Sequence, residues 1–319
     1  MSRLSPAAHA DRLRQFLPLM ALLVLVAGIG AAEPRFLSVG ALMQLADDTV
    51  TLIVLATGVT FVIMLGGIDL SIQSMASLAS VIVALTVTRL GYGSFVLAVA
   101  TGVLAGCCAG VAHVKLKIPS FIATLAVGGV LAGTALVLSH ERSITLVESQ
   151  RVYLAWITGA TASVPNGIVL AALLVVAAAT VQSRTRFGRY SAAIGAGEAA
   201  AYASGVQVDR EKIKAFALSS GCAALAGVVL AARLASGSPT LANELLLPAI
   251  AAVVVGGTAI TGGVGSIWRT LVGALIISVV RTGMTFVGVD IFAQQIVFGA
   301  VLVVAVVVTI DRSKIPIVK

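Results

Sequence analysis

The stretch VTLIVLATGVTFVIML, Val50–Leu65, decides the fold: it carries no charged residue, and the glycine-rich run GGIDLS, Gly66–Ser71, follows it directly. A bilayer core about 30 Å thick needs a helix of about 20 apolar residues. Ten stretches of the chain are candidates for such helices, because backbone polar groups find no water inside hydrocarbon. They are Phe16–Ala32, Val50–Leu65, Ile72–Thr88, Phe95–Val114, Phe121–Ser139, Gly167–Val181, Ile213–Ala235, Leu247–Ile260, Trp268–Val287 and Ile291–Ile310. The sequence therefore predicts an all-α membrane protein, a polytopic bundle of about ten transmembrane helices.

The composition agrees with a membrane protein. The chain is 59% hydrophobic and only 11% charged, with a mean hydropathy of +1.08. Soluble domains carry about 25% charged residues. Ten helices and short loops use nearly all of the chain, so we expect residues 1–319 to form a single transmembrane domain. The cysteines Cys107, Cys108 and Cys222 lie in predicted helices at spacings that match no zinc site, so we expect them to be packing residues and no metal to be bound.

The charges indicate an orientation. If the N-terminus is cytoplasmic, most of the 21 lysines and arginines fall on the inside. The outside then holds Arg35, Arg89, Arg142, Arg151 and Arg233, and Arg281 lies within a helix. This is the positive-inside pattern, and it predicts that both termini are cytoplasmic. Cleavage after Gly30-Ala31-Ala32, as in a signal peptide, would put the positive loops on the wrong face, so we expect the first helix to be retained. The net charge of +8 thus orients the protein in a lipid bilayer and indicates no nucleic-acid partner.

Two glycine-rich interruptions stand out, one in each half of the chain. The first break is Gly66–Ser71 and includes Asp69; the second break, Gly256–Ser266, reads GGTAITGGVGS. Paired interruptions of this kind point to discontinuous helices near a transport path, and the alternative is ordinary turns between helices. A carboxylate at the depth of Asp69 costs a few kcal/mol unless it meets water, a partner or a helix N-terminus.

The segment Gln182–Lys214 is the largest hydrophilic piece and is expected on the inside. Within it, Glu198–Ser204 is rich in alanine and predicts a short helix that ends at Gly205. Such a helix either has a partner or is a solvated loop on the lipid headgroups. A stripe of small residues at four-residue spacing, Gly102, Gly106 and Gly110, predicts close packing of two helices.

No motif supports catalysis by this chain alone. The dipeptide Gly-Lys does not occur, which excludes a Walker A phosphate-binding loop, and there is no His-Glu-x-x-His zinc motif. A Gly-x-Ser-x-Gly nucleophile motif is also absent. Proton-coupled carriers rely on ladders of intramembrane carboxylates, and here only Asp69 and Arg281 are plausible. We expect that the chain is not an enzyme and that any uphill transport is powered by a partner.

Three blocks of sequence resemble one family. The run Gly66-Gly67-Ile68-Asp69-Leu70-Ser71 resembles the signature of bacterial ATP-binding-cassette importer permeases for ribose, xylose, arabinose and related sugars. The segment from Thr185 through Gly205 resembles the cytoplasmic coupling loop of that family, and Gly256-Gly257-Thr258 with Gly262–Ala274 resembles a third block. The chain departs from the family pattern at Ile72-Gln73 and at Gly195-Ala196-Gly197, so the resemblance does not name the sugar.

The resemblance implies a transport machine in the bacterial inner membrane. Two permease chains, identical or paralogous, form the pathway; cytosolic ATPase subunits bind ATP and Mg²⁺; and a periplasmic or lipid-tethered binding protein delivers the monosaccharide. No cofactor is expected in this chain. Residues implied in ATPase coupling are Arg189, Gly195, Glu198, Ala199, Ala200 and Gly205. Candidate pathway residues, beside the two breaks, are Gly66, Gly67, Asp69, Ser71, Gln73, Gly256, Gly257, Thr258 and Thr261.

Several alternatives stay open at this point. The polar pathway candidates are also explained by hydrogen bonds to helix backbone or to a neighbouring helix. Glu198 could cap its helix or pair with an arginine of the ATPase. A permease of the same architecture could carry nucleosides or branched-chain amino acids. Three alternatives belong to other functional classes: a stand-alone secondary carrier, an intramembrane enzyme and a purely structural membrane subunit. Each would lack some or all of the ATPase, second permease and binding-protein partners.

Overall fold

The computed structural model describes residues 6–286 and 288–309, and the chain is almost entirely helical. The first seven helices are α1 Pro6–Ala32, α2 Val39–Met64, α3 Ile72–Leu90, α4 Gly93–Lys115, α5 Ser120–Ser139, α6 Glu148–Arg151 and α7 Ala155–Thr158. The others are α8 Asn166–Arg184, α9 Arg186–Ala196, α10 Glu198–Ala203, α11 Val208–Leu234, α12 Leu246–Val255, α13 Ile267–Phe286 and α14 Ile291–Thr309. Short 3₁₀ turns span Pro34–Leu37, Val152–Leu154 and Asn243–Leu245.

The described residues also form four two-residue strands. They are β1 Ile144–Thr145, β2 Ala160–Thr161, β3 Val164–Pro165 and β4 Ser236–Gly237. β2 pairs antiparallel with β3, and β1 pairs antiparallel with β4 so that Ile144 faces Gly237. The second pairing fastens the segment between α5 and α8 to the end of α11.

Each of the ten predicted stretches coincides with a helix, although Val287 and Ile310 lie outside the described residues. Within the part of the chain that the structure describes, seven helices are long and apolar enough to cross a membrane: α2, α3, α4, α5, α8, α11 and α13. Three shorter apolar helical stretches are Phe16–Ala32, Asn243–Val255 and Ala293–Val304. The structure thus supports an all-α membrane protein, and the count of about ten spanning helices stays a prediction.

Several helix boundaries differ from the sequence prediction, and α2, for example, begins at Val39 rather than at Val50. The predicted stretch Leu247–Ile260 was too long, because α12 ends at Val255, where the second break begins. The hydrophilic segment 182–214 is more ordered than a loop, since it contains α9, α10 and the first turns of α11. The short helix predicted at Glu198–Ser204 is confirmed as α10, and Gly205 follows it with a φ of +83°, a left-handed conformation that favours glycine.

The centre of the bundle is formed by α2 and α11. Every residue from Thr49 to Leu65 is buried, and α11 packs against α2, α3 and α4. The packing prediction for the small-residue stripe on α4 is confirmed: a Cβ at Gly102 would lie 2.6 Å from the Cβ of Ala224, and one at Gly110 would lie 2.8 Å from the Cα of Ile213. Only glycine lets the two helix backbones come this close.

These contacts also give the helix directions. Gly58 of α2 meets Ser219 and Cys222 of α11, whereas Gly67 meets Phe216, so α2 and α11 run antiparallel. The contact of Gly227 with Ala79, further along α11 than Ser219, shows that α3 runs parallel to α11. Both breaks, α9 and α10 therefore lie at one end of the bundle, here called the junction end. The segment between α5 and α8 lies at the opposite end, here called the far end.

Candidate functional site

The first break is a turn that returns the chain into the bundle. Gly66 has a φ of +79°, and the chain re-enters so that Asp69 reaches Ser219, which lies well inside α11. The Asp69 carboxylate accepts hydrogen bonds from the backbone N–H of Ser71 (3.0 Å), the hydroxyl of Ser71 (2.6 Å) and the hydroxyl of Ser219 (2.8 Å). It also sits just before the first turn of α3, where the helix dipole favours a negative charge. The partners that burial of this carboxylate requires are thus present.

Two hydroxyls of α5 hold the backbone of the first break. Ser120 Oγ accepts a hydrogen bond from the N–H of Ile68 and Thr124 Oγ1 accepts one from the N–H of Leu70, both at 3.0 Å. Sequence reasoning missed this pair. Their four-residue spacing, which puts both hydroxyls on one face of a helix, was the available signal.

The second break is a tight turn between two packed helices. Gly256 approaches the carbonyl group of Arg269, and Gly273 approaches that of Ala252, so α12 and α13 form an antiparallel hairpin. Three glycines of the turn have left-handed conformations, with φ of +88° at Gly257, +87° at Gly262 and +79° at Gly263. This geometry favours the ordinary helix turn over a discontinuous helix for this break.

The two breaks and α9 meet at a cluster of backbone contacts, here called the glycine junction: Gly66, Gly195, Gly262 and Gly263. The N–H of Gly263 donates to the carbonyl oxygen of Met64 at 2.9 Å. A Cβ at Gly262 would lie 2.7 Å from the N of Gly66 and 2.9 Å from the Cα of Gly195. A Cβ at Gly195 would overlap both the Met64 carbonyl oxygen and the Gly263 nitrogen. Three regions far apart in sequence therefore touch through main chain.

Gln182, at the end of α8, completes this arrangement. Its side-chain N–H donates to the carbonyl oxygen of Gly265 at 3.0 Å, and its side-chain oxygen accepts from the N–H of Ile267 at 3.0 Å. The amide thus fixes the second break to the start of the segment 182–214. The sequence analysis missed Gln182, because a lone glutamine at a helix end carries no local signal for a long-range bond.

The coupling segment, α9 and α10, is held to α11 by an ion pair. Lys212 Nζ donates to both carboxylate oxygens of Glu198 at 2.8 Å. Glu198 lies in the first turn of α10, where a negative charge is favoured by the helix dipole, and its described side-chain hydrogen bonds go to Lys212. The outer face of α10 is small and uncharged around one large side chain: Ala199 and Ala200 are exposed, and Tyr202 is 75% exposed.

A cavity of about 340 Å³ lies behind the coupling segment. The residues lining it come from the first break, the α4–α5 connection and the coupling ion pair. They are Val62, Leu65, Gly66, Gly67, Ile68, His113, Pro119, Ser120, Phe121, Glu198, Lys212 and Phe216. A movement of α10 relative to α11 would change the shape of this space.

The remaining predicted residues occupy different environments. Of the pathway candidates, Asp69, Ser71, Gly256 and Thr258 are buried, Gln73 and Gly257 are half-buried, and Thr261 is exposed. The Thr258 hydroxyl has no hydrogen-bond partner among the described residues. Of the coupling candidates, Arg189 and Gly205 are exposed. The structure thus brings the two breaks and Gly195 together, while Arg189 lies apart on the surface of α9.

Comparison with known proteins finds one matching family and several similar transport permeases. Residues 41–306 match a family described as branched-chain amino acid transport system / permease component. The chain is 36% identical to the ribose import permease protein of Escherichia coli, over 93% of each chain. It is 36% identical to the ribose import permease protein of Bacillus subtilis, over 96% of this chain and 95% of the relative. Identity with the Escherichia coli xylose transport system permease protein is 31% over 86% of each chain.

Proposed function

Because the chain belongs to the family of permease components of branched-chain amino acid transport systems, we propose that it is the membrane permease subunit of an ATP-binding-cassette importer for a monosaccharide. The observation that carries this proposal is the glycine junction, where the three sequence blocks shared with sugar permeases meet in space. Permeases for ribose and xylose match the chain along most of its length, which supports a sugar as the substrate.

The junction end is then the cytoplasmic end, with both termini on the same side. This assignment follows from the concentration of lysine and arginine in the segments around α9, α10 and the first turn of α11. Cytosolic ATPase subunits, which hold ATP and Mg²⁺, dock on α10. A second permease chain completes the pathway, and a binding protein delivers the sugar at the far end, in the bacterial inner membrane.

Coupling works through the glycine junction. Movement of α10, driven by the ATPase subunits, is carried by α9 to Gly195, which contacts main-chain atoms of Met64, just before the first break, and of Gly263 in the second break. Main-chain contacts without intervening side chains leave little slack, so the two breaks shift with the coupling segment. The ATPase shifts the permease between states only to the extent that its nucleotide-dependent forms bind those states with different affinity.

The pathway needs only weak polar contacts, since the binding protein selects the sugar. Asp69, Ser71 and Thr258 are buried and shape the breaks rather than offering a surface to a solute. Gly66, Gly67 and Gln73 are accessible in part and are the better candidates for lining the route.

The Glu198–Lys212 pair gives a direct test of coupling. Glu198→Lys should lower uptake several-fold, because it places a second positive charge against Lys212, whose side chain is only 14% exposed. If the pair acts within the chain, the double variant Glu198→Lys, Lys212→Glu restores uptake by restoring the attraction. A control is Lys115→Glu, which breaks an exposed 3.7 Å pair with Asp209 at the same end and should transport normally. Failure of the double variant to recover would instead place the partner of Glu198 on the ATPase.

The proposed function itself is tested by affinity purification of the tagged chain from native membranes, followed by mass spectrometry. We expect an ATPase subunit and a sugar-type binding protein to co-purify, and the binding protein to be screened against monosaccharides. A binding protein that instead selects nucleosides or branched-chain amino acids would keep the importer and reject the sugar. Transport by the chain alone in liposomes without ATP would reject the importer in favour of a secondary carrier.

A further inference from the structure

Polar side chains tie α11 to a different part of the molecule at three levels. Near the junction end Lys212 binds Glu198 of α10, and further along the helix Ser219 binds Asp69 of the first break. At the far end Arg233 binds Asp47 and Asp48 in the third turn of α2. At 1.5 Å per residue, about 32 Å separates Lys212 from Arg233 along the helix.

The far-end tie is a cluster of one arginine and two aspartates. Arg233 Nη1 donates to the main-chain carbonyl oxygen of Asp47, and Nη2 donates to the carboxylate of Asp48. Nη2 also lies 3.3 Å from the Asp47 carboxylate. The Arg233 and Asp47 side chains are only 21% and 24% exposed, so water screens this pair less than a fully exposed surface pair. The cluster holds the end of α11 against the third turn of α2.

Close packing makes α11 a single stiff element between the two ties. The helix contains no proline, and it meets α4 and α3 where glycines bring the backbones together. A Cβ at Gly227, for example, would lie 2.8 Å from the Cβ of Ala79. Because its backbone lies in contact with α3 and α4, we expect α11 to shift as a body rather than to bend locally.

Arg233 has space beside it into which it can move. A cavity of about 220 Å³ adjoins the cluster. It is lined by Asp47, Ile157, Thr158, Pro165, Gly167 and Arg233. A small shift of α11 along its axis would carry the guanidinium group from one aspartate towards the other or into this cavity.

We propose that Arg233 is a positioning residue for transport. Its pair with Asp47 and Asp48 sets where the far end of α11 sits against α2, and displacement of α10, carried along α11, rearranges that pair. The nucleotide state of the ATPase at one end of the bundle thereby controls the far end. This inference rests on the proposed function, because it takes α10 as the element that the ATPase moves.

The test uses the complex that co-purifies with the chain, reconstituted in liposomes. Uptake of labelled ribose is measured together with ATP hydrolysis, and the ratio of the two is compared among variants. Arg233→Gln should lower ribose uptake per ATP about tenfold, while Arg233→Lys, which keeps the charge, should recover part of it. The matched control is Arg151→Gln, which removes an exposed pair with Glu148 and should leave the ratio unchanged.

A second readout follows the far end directly. The native cysteines Cys107, Cys108 and Cys222 are replaced, and a single cysteine is introduced as Thr158→Cys. The rate at which maleimide labels this cysteine is measured with and without ATP and vanadate. We expect the labelling rate to depend on nucleotide, and to lose that dependence in Arg233→Gln and in Glu198→Lys. If Arg233→Gln does not fold, Asp48→Asn removes the more exposed carboxylate and tests the same pair.

The outcomes separate this inference from the proposed function. The role of Arg233 is overturned if Arg233→Gln changes neither the uptake of ribose per ATP nor the dependence of labelling on nucleotide. The same holds for Asp48→Asn where that variant replaces Arg233→Gln. The importer proposal would be unaffected by this result. If the unaltered complex does not take up ribose or xylose, the proposed substrate class fails. The labelling arm then still decides the role of Arg233, because it needs only nucleotide.

Discussion

Replacing Gly195 with alanine is expected to abolish uptake. The added Cβ would overlap the carbonyl oxygen of Met64 and the amide nitrogen of Gly263, both main-chain atoms that cannot rotate away. Overpacking costs about 1–3 kcal/mol where side chains can adjust, and more where they cannot. Either the breaks are forced apart from α9 or the segment detaches, and both results disconnect the coupling helix from the breaks.

The matched control lies two residues further along. Gly197 has a φ of 178°, an extended conformation open to any residue, and a Cβ there would meet only the Cβ of Ala200 at 3.8 Å. Gly197→Ala should therefore cost less than about 1 kcal/mol, mainly as a weaker helix N-cap. The two variants are compared by yield after size exclusion in detergent, ATP-dependent uptake and co-purification of the ATPase. Normal uptake by Gly195→Ala would show that the junction opens freely and does not transmit movement.

The helices were predictable because the bilayer requirement is local. Val50–Leu65 is recognisable from its own composition, and α10 from an alanine-rich run that ends in glycine. The positions of the helix ends were harder to predict from the sequence. α12 stops at Val255 because a turn that returns the chain to Ile267 needs several residues with left-handed conformations, and the apolar run alone does not reveal where that turn begins.

The site was predictable only in part, since its contacts join residues far apart in sequence. The glycines of both breaks and of the coupling loop were identified as separate features, and nothing local shows that Gly195 and Gly66 both lie against Gly262. Polar ties such as Gln182 to Gly265 depend on the register of packed helices, which sequence periodicity does not give. Asp69 was recognised because a carboxylate stands out in an apolar stretch of sequence. Its hydrogen-bond partner Ser219 was not recognised.

Asp69 provides the second large effect. Asp69→Ala removes the acceptor of three hydrogen bonds and leaves the hydroxyls of Ser71 and Ser219 in a buried space without that partner. Hydrogen bonds to a charged group contribute about 1.5–3 kcal/mol each, so we expect a loss of about 3 kcal/mol or more. For a chain of this size the melting temperature in detergent should fall by about 4 °C or more. Gln73→Ala, a half-buried neighbour in the first turn of α3, serves as the control and should melt close to the unaltered protein.

The asparagine variant separates the structural role of Asp69 from a role for its charge. In Asp69→Asn the side-chain oxygen still accepts from the N–H and hydroxyl of Ser71, and the side-chain N–H₂ donates to Ser219, whose hydroxyl can act as donor or acceptor. If Asp69 only holds the first break to α3 and α11, Asp69→Asn keeps most of the stability and at least about half of the uptake. If the carboxylate instead contacts the solute or carries a proton, this variant folds but does not transport. Because the side chain is 1% exposed and all its polar contacts are to Ser71 and Ser219, we expect the first result.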